Sequence, residues 1–216
     1  MSTGPNPKLD ELIEVMATLR GPGGCPWDAE QTHESLIRYL LEETYELIDA
    51  IEAGDRDDMI EELGDVLYQV IFHSDLAANS PGENFTLEDV AEHMTKKMVG
   101  RHPHVFGGGR TAETADEVMT FWDDLKKQEK PGRTSTLDGV PQAMPALLLA
   151  DKLLGKAEKL DVVEVGGPAP FPFQTEEELG AVLLAMVASA RSQGLDAERA
   201  LRGRLRDLQD DIRDAE

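Results

Sequence analysis

A glycine between two acidic, helix-periodic runs constrains this chain more than any other feature. Residues 33–53 place Leu36, Ile37, Leu40, Leu41, Leu47, Ile48 and Ile51 at the spacing of a wide apolar helix face. Gly54 then stops the run, as a glycine just past a helix end does. Asp55 or Asp57 is suited to cap a second helix, which carries Leu63, Val66, Leu67, Val70 and Ile71 and extends to about residue 79. If the chain reverses at Gly54, Glu46 and Glu62 each stand 8 residues from it, and Glu43 and Asp65 each stand 11 away. Each helix contributes two carboxylates three residues apart, hence on one face. At a rise of about 1.5 Å per residue, all four fall within roughly one helical turn of each other along the hairpin axis.

The charge pattern supports a role for this convergence. Between Glu42 and Asp65 there are 11 acidic residues and one basic residue, Arg56. Surface helices usually mix signs, because like charges four apart destabilise and opposite ones help. Carboxylates gathered between packed helices repel until they take up protons or bind a cation. An all-oxygen set suits Mg²⁺ or Mn²⁺ rather than zinc. Glu42, four residues before Glu46, sits beside the set. The competing interpretation is a solvated acidic face that holds nothing. The whole chain carries a net charge of −22. It would repel nucleic acid and anionic membrane over most of its surface, so a polyanionic ligand needs local cations or metal. No apolar run approaches the roughly 20 residues of a membrane span. Met1 to Lys8 is polar and lacks the core of a secretion signal. The single cysteine, Cys25, excludes an intramolecular disulfide and suits a reducing cytosol. The expectation is a cytoplasmic protein that binds neither nucleic acid nor membrane.

The remaining chain also reads as helical. An amphipathic helix is predicted over 9–20, followed by the loop Gly21-Pro22-Gly23-Gly24-Cys25-Pro26. Thr86 to Asp89 opens a helix to about Val99 with a capping-box pattern. A loop from Arg101 to Gly109 leads to a helix over about 115–130 that stops at Pro131-Gly132. Further helices are predicted at about 145–160, 176–193 and 197–213, the second opened by a capping box over Thr175 to Glu178. No segment reads as a strand, and the fold class is all-α. Residues 61–67 (Glu-Glu-Leu-Gly-Asp-Val-Leu) are echoed at 177–183 (Glu-Glu-Leu-Gly-Ala-Val-Leu).

Glu42-Glu43-Thr44-Tyr45-Glu46 followed by Glu62-Leu63-Gly64-Asp65 resembles the EExxE…ExxD signature of the MazG family of nucleoside triphosphate pyrophosphohydrolases. The segments Gly24-Cys25-Pro26-Trp27-Asp28, Gln31-Thr32-His33 and Arg101-His102-Pro103-His104-Val105-Phe106 resemble it as well. The resemblance is strong over residues 9–160 and weak beyond. It implies an all-α, dimeric helical bundle in which a helix hairpin carries metal ligands. It also implies Mg²⁺-dependent hydrolysis of a nucleoside triphosphate to a monophosphate and pyrophosphate. By motif position, Glu43, Glu46, Glu62 and Asp65 would bind metal. Glu42 would be an outer ligand or the group that orients water. For the phosphates the candidates are Arg101 first, then Arg38, Lys96, Lys97, Lys126 and Lys130. Trp27 is a candidate for stacking on the base, against the plainer alternative of a core tryptophan. The expected organisation is a catalytic domain over 1–135 and a degenerate, shortened second half over 136–216 with a packing role. In that half Glu178 matches Glu62, but Ala181 stands where Asp65 does and no EExxE precedes it. The damage leaves open a second class of function, a regulatory or scaffold protein that binds nucleotide without turnover.

Overall fold

The computed structural model describes residues 6–107, 132–164 and 171–216, together with Ala112, Thr114, Glu117, Val118, Leu125 and Glu129. The helix expected at about 115–130 lies largely outside the described residues. The chain is all-α: among the described residues every regular element is a helix. No described helix is long and apolar enough to cross a membrane. The chain divides into two compact units, Met1–Val118 and Met119–Glu216.

The first unit contains α1 (Pro7–Arg20), α2 (Pro26–Glu30), α3 (His33–Ala53), α4 (Arg56–Asn79), α5 (Leu87–Arg101) and α6 (Pro103–Phe106). Helices α3 and α4 pack together as the expected hairpin. Gly54 closes α3 in the left-handed region at φ 69°, a conformation that favours glycine. The Gly54 N–H donates to Ile51 O at 3.2 Å, and the Asp55 N–H donates to Ala50 O at 3.2 Å. The Asp55 side chain then caps α4, accepting from the N–H groups of Asp57 (2.9 Å) and Asp58 (3.2 Å). At its other end α3 is fixed by a reciprocal box. The Ser35 N–H donates to Thr32 Oγ1 (3.1 Å), and the Thr32 N–H donates to Ser35 Oγ (2.9 Å). The Thr86–Asp89 box is also formed.

The core of this unit joins Met16, Leu36, Ile71, Phe72 and Leu76, with Tyr39 and Tyr68 packed against them. It therefore occupies the end of the hairpin remote from Gly54. Arg20 fastens α1 and α2 at that end. Its guanidinium lies 2.6 Å from Asp75, donates to the Asp28 carbonyl at 2.6 Å and sits over the Phe72 ring. The acidic turns nearer Gly54 are left beyond this core.

Two short helices add to the expected pattern: α2 begins at Pro26, the last residue of one predicted loop, and α6 lies within the loop predicted from Arg101 to Gly109. Each begins with proline, Pro26 or Pro103, at a position where a missing N–H costs nothing. The glycines around them mask that signal. Helix α1 likewise starts at Pro7 rather than Leu9.

In the second unit, α7 (Ala146–Ala157) continues into a 3-10 turn (Glu158–Leu160). Helices α8 (Glu176–Ser192) and α9 (Ala197–Ala215) follow. Leu149, Leu153 and Ala157 of α7 meet Leu205 and Ile212 of α9 in a small core. Arg202 ties α9 to the chain entering α7: it donates to Gln142 O at 2.7 Å and to Met144 O, and pairs with Glu198. Glu198 in turn accepts from the Ala146 N–H at 2.9 Å. Helix α8 buries no residue fully, and its Leu184 is 71% exposed.

Candidate active site

The reversal at Gly54 brings together one carboxylate oxygen each from Glu43, Glu62 and Asp65, all within 4.8 Å of one another. Each of the three residues is half-buried. Glu46 and Glu42 are exposed beside them. Burial, then the charges of Asp65, Glu46, Glu62 and Glu42, pushes the Glu43 carboxyl above its ordinary value. Glu62 is pushed up in the same way by burial, then by Glu46, Asp65, Glu61 and Asp58. One of its oxygens, Oε2, is buried and accepts no hydrogen bond.

Towards the turn the cluster opens into a shallow cleft of about 290 Å³ lined by Glu46, Asp49, Ala50, Ala53, Asp58 and Glu62. Asp49 and Asp58 were not singled out from the sequence, yet helical spacing could have found them. Asp49 follows Glu46 by three residues and Asp58 precedes Glu62 by four.

These residues fit a hard divalent cation. An orphaned buried oxygen, three carboxylates within bridging reach and an oxygen-only donor set all ask for a positive charge. Neutralisation by a cation would offset both the burial and the like charges that raise Glu43 and Glu62.

The basic and aromatic candidates fall in different places. Arg38 is exposed on α3, its guanidinium 4.7 Å from the centre of the Tyr39 ring. Trp27 is 48% exposed and meets Tyr39 edge-on at 5.6 Å. It is therefore no core tryptophan. Lys97 and Arg101 are half-buried on α5, whereas Lys96 is exposed and paired with Glu92 at 2.6 Å. Lys126 and Lys130 lie outside the described residues. Cys25 is half-buried rather than part of the core.

The echo of the acidic motif has a different use in the second unit. The Glu178 N–H donates to Thr175 Oγ1 at 3.2 Å, and the Glu178 carboxylate accepts from the Gln174 N–H at 2.9 Å. The return bond thus reaches one residue before the N-cap, unlike the reciprocal box the sequence suggests. Glu178 secures a helix start, and Ala181 offers no oxygen beside it. Glu178→Ala should leave turnover close to wild type while loosening the first turn of α8, as a nucleotide assay paired with circular dichroism would show. A loss of turnover in a folded variant would contradict this.

The fold and site define an all-α protein with an oxygen-only acidic centre suited to a divalent cation. Comparison with known proteins narrows the class. The model of the MazG nucleotide pyrophosphohydrolase domain matches residues 31–106, a span that contains the whole α3–α4 hairpin. The chain is 39% identical over 210 residues to the nucleoside triphosphate pyrophosphohydrolase/pyrophosphatase MazG of Thermotoga maritima, covering 90% of this chain and 80% of that protein. It is 37% identical over 217 residues to the nucleoside triphosphate pyrophosphohydrolase of Escherichia coli, covering 90% and 81%. A 26.1 kDa protein of Streptomyces cacaoi is 45% identical over 212 residues, covering 98% and 84%. The chain belongs to the MazG family of nucleoside triphosphate pyrophosphohydrolases, hydrolases that act on acid anhydrides in phosphorus-containing compounds.

Proposed function

We propose that this chain hydrolyses a nucleoside triphosphate to a nucleoside monophosphate and pyrophosphate in the cytoplasm, with Mg²⁺ as cofactor and Mn²⁺ able to replace it. The observation that carries the reading is the convergence of Glu43, Glu62 and Asp65 across the Gly54 turn. With Glu46 they are the residues to hold the cation. When bound, the cation would supply charge neutralisation for the phosphates and a lowered pKa for water. Glu42, exposed beside Glu43, would stand as an outer ligand or orient the attacking water. The water oxygen bonds to the α-phosphorus in line. The bond from that phosphorus to the bridging oxygen breaks, pyrophosphate leaves with the electron pair, and the water proton passes to a carboxylate. No covalent enzyme intermediate is required. Arg101, Arg38, Lys97 and Lys126 are proposed for the phosphates, and exposed Trp27 for stacking on the base. The second unit, with the stretch from about residue 136 as a degenerate repeat, serves packing.

The test is a nucleotide panel with Mg²⁺ or Mn²⁺, the products identified as monophosphate and pyrophosphate. Tight binding of nucleotide with no product would instead favour a regulatory or scaffold protein. Release of orthophosphate alone would place the attack elsewhere on the triphosphate.

We also propose a homodimer. Ile37, Leu41, Tyr45, Ile48 and Ile51 on α3 and Ile60 and Leu63 on α4 are each more than two-fifths exposed. Exposed apolar residues of that kind on a helix are characteristic of an interface. Sedimentation should show a dimer that Ile48→Glu/Leu63→Glu converts to monomer; an unchanged dimer would move the interface elsewhere. The acidic surface leaves nucleic acid and anionic membranes as poor partners.

A further inference from the structure

Gln69 lies on α4 one helical turn beyond Asp65 and two turns beyond Glu62, so the three share a face. It is only 5% exposed, and its Oε1 is buried without a hydrogen-bond partner. A buried amide carbonyl left unpaired is costly, and native proteins avoid it unless a donor arrives from outside. The register of the hairpin narrows where that donor is. The Glu43–Asp65 pairing across Gly54 extends to place Gln69 at the level of Tyr39, where the apolar core of Leu36, Ile71 and Phe72 begins. Gln69 thus forms the boundary between that core and the acidic cluster. Side chains on a helix lean towards its N-terminus, over the preceding turn. For Gln69 the preceding turn is the one that carries Asp65.

We propose that Gln69 is a positioning residue of the acidic centre: its Oε1 accepts a hydrogen bond from water hydrating the cation held by Glu43, Glu62 and Asp65. The inference rests on the cation-site reading above. It goes beyond that reading in assigning a neutral, buried side chain to the outer shell of the site. Such partners orient the inner ligands and tune their hold on the ion. A carbonyl is the appropriate group here, because it accepts from water without adding charge to an already crowded set of carboxylates.

The experiment measures Mn²⁺ binding by calorimetry or electron paramagnetic resonance, and melting without metal, in the full chain and three variants. Gln69→Met keeps the volume and removes the acceptor. It should weaken Mn²⁺ binding by roughly 10- to 100-fold, the usual effect of losing an outer-shell partner. Its melting temperature without metal should stay level or rise, because the orphaned carbonyl is gone. Gln69→Glu keeps an acceptor and should retain Mn²⁺ binding. Glu62→Gln, which removes an inner ligand, should bind Mn²⁺ poorly. If Glu62→Gln loses Mn²⁺ while Gln69→Met binds it like wild type, the Gln69 assignment is overturned and the cation site stands. If neither variant loses Mn²⁺, both are overturned. A Gln69→Met protein that binds weakly and also melts lower would show a packing role and overturn the assignment. In the wild-type protein, Mg²⁺ titration should shift the Gln69 carboxamide resonance, and an unmoved resonance would overturn the assignment even if the methionine variant fails to fold.

Discussion

Asp65→Ala or Glu46→Ala should abolish pyrophosphate release from every nucleoside triphosphate that the wild-type protein cleaves, while circular dichroism stays unchanged. Asp65 is one of the three carboxylates that meet across the hairpin, and Glu46 flanks them at the mouth of the cleft. Neither belongs to the apolar core at the far end of α3 and α4. Removing either also removes a like charge that bears on Glu43 and Glu62. Melting without metal should therefore hold steady or rise. Wild-type turnover in either purified variant would remove these residues from the reaction. A fall in melting temperature would show that the cluster is structural.

Millimolar Mg²⁺ or Mn²⁺ should raise the melting temperature, and the gain should vanish in Glu43→Gln/Glu62→Gln. An ion that binds only the folded chain stabilises it by about 2.7 kcal/mol at a hundredfold excess over Kd. Equal gains in both proteins would mean general screening of the −22 charge. The pH dependence without metal has a definite sign. Glu43 and Glu62 are raised by burial first and like charges second, so the folded state holds their protons more firmly than the unfolded chain does. Their contribution to stability is complete below the ordinary carboxylate range and is lost as pH rises through their raised values. The double glutamine variant should lack that decline. With the cation present the trend opposes it, because protons compete for the same oxygens.

The hairpin was legible because helix period and turn chemistry are local properties. Gly54 and Asp55 signal where α3 ends and α4 begins, and counting outward from them pairs Glu43 with Asp65. Exposure was less legible, since it depends on what packs nearby. Trp27 suits a core by composition yet stands nearly half exposed beside Tyr39. Gln69 shows the converse. A glutamine in a helix reads as solvent-facing, and only the packing of α4 against its neighbours buries it. The role of Glu178 was legible from the capping pattern at Thr175, although its return bond reaches Gln174 instead of the N-cap. A glutamate three residues past an N-cap satisfies the helix start by itself, so its match to Glu62 carries no information about metal.

The pairing across Gly54 also limits where this region can change length. Surface turns ordinarily accept inserted or deleted residues with little effect. An added residue taken up into α4 ahead of Glu62 would rotate Glu62 and Asp65 by about 100° relative to α3, whereas one accommodated in the turn itself would leave them facing Glu43. Seven residues taken up into α4 would restore the facing direction to within about 20° but displace the two acids along the axis by about 10 Å. No insertion taken up as helix recovers both angle and height. The centre should therefore survive residues added within the turn, but not residues added inside α3 after Glu46 or inside α4 before Glu62, where each one changes the angle at which the acids meet.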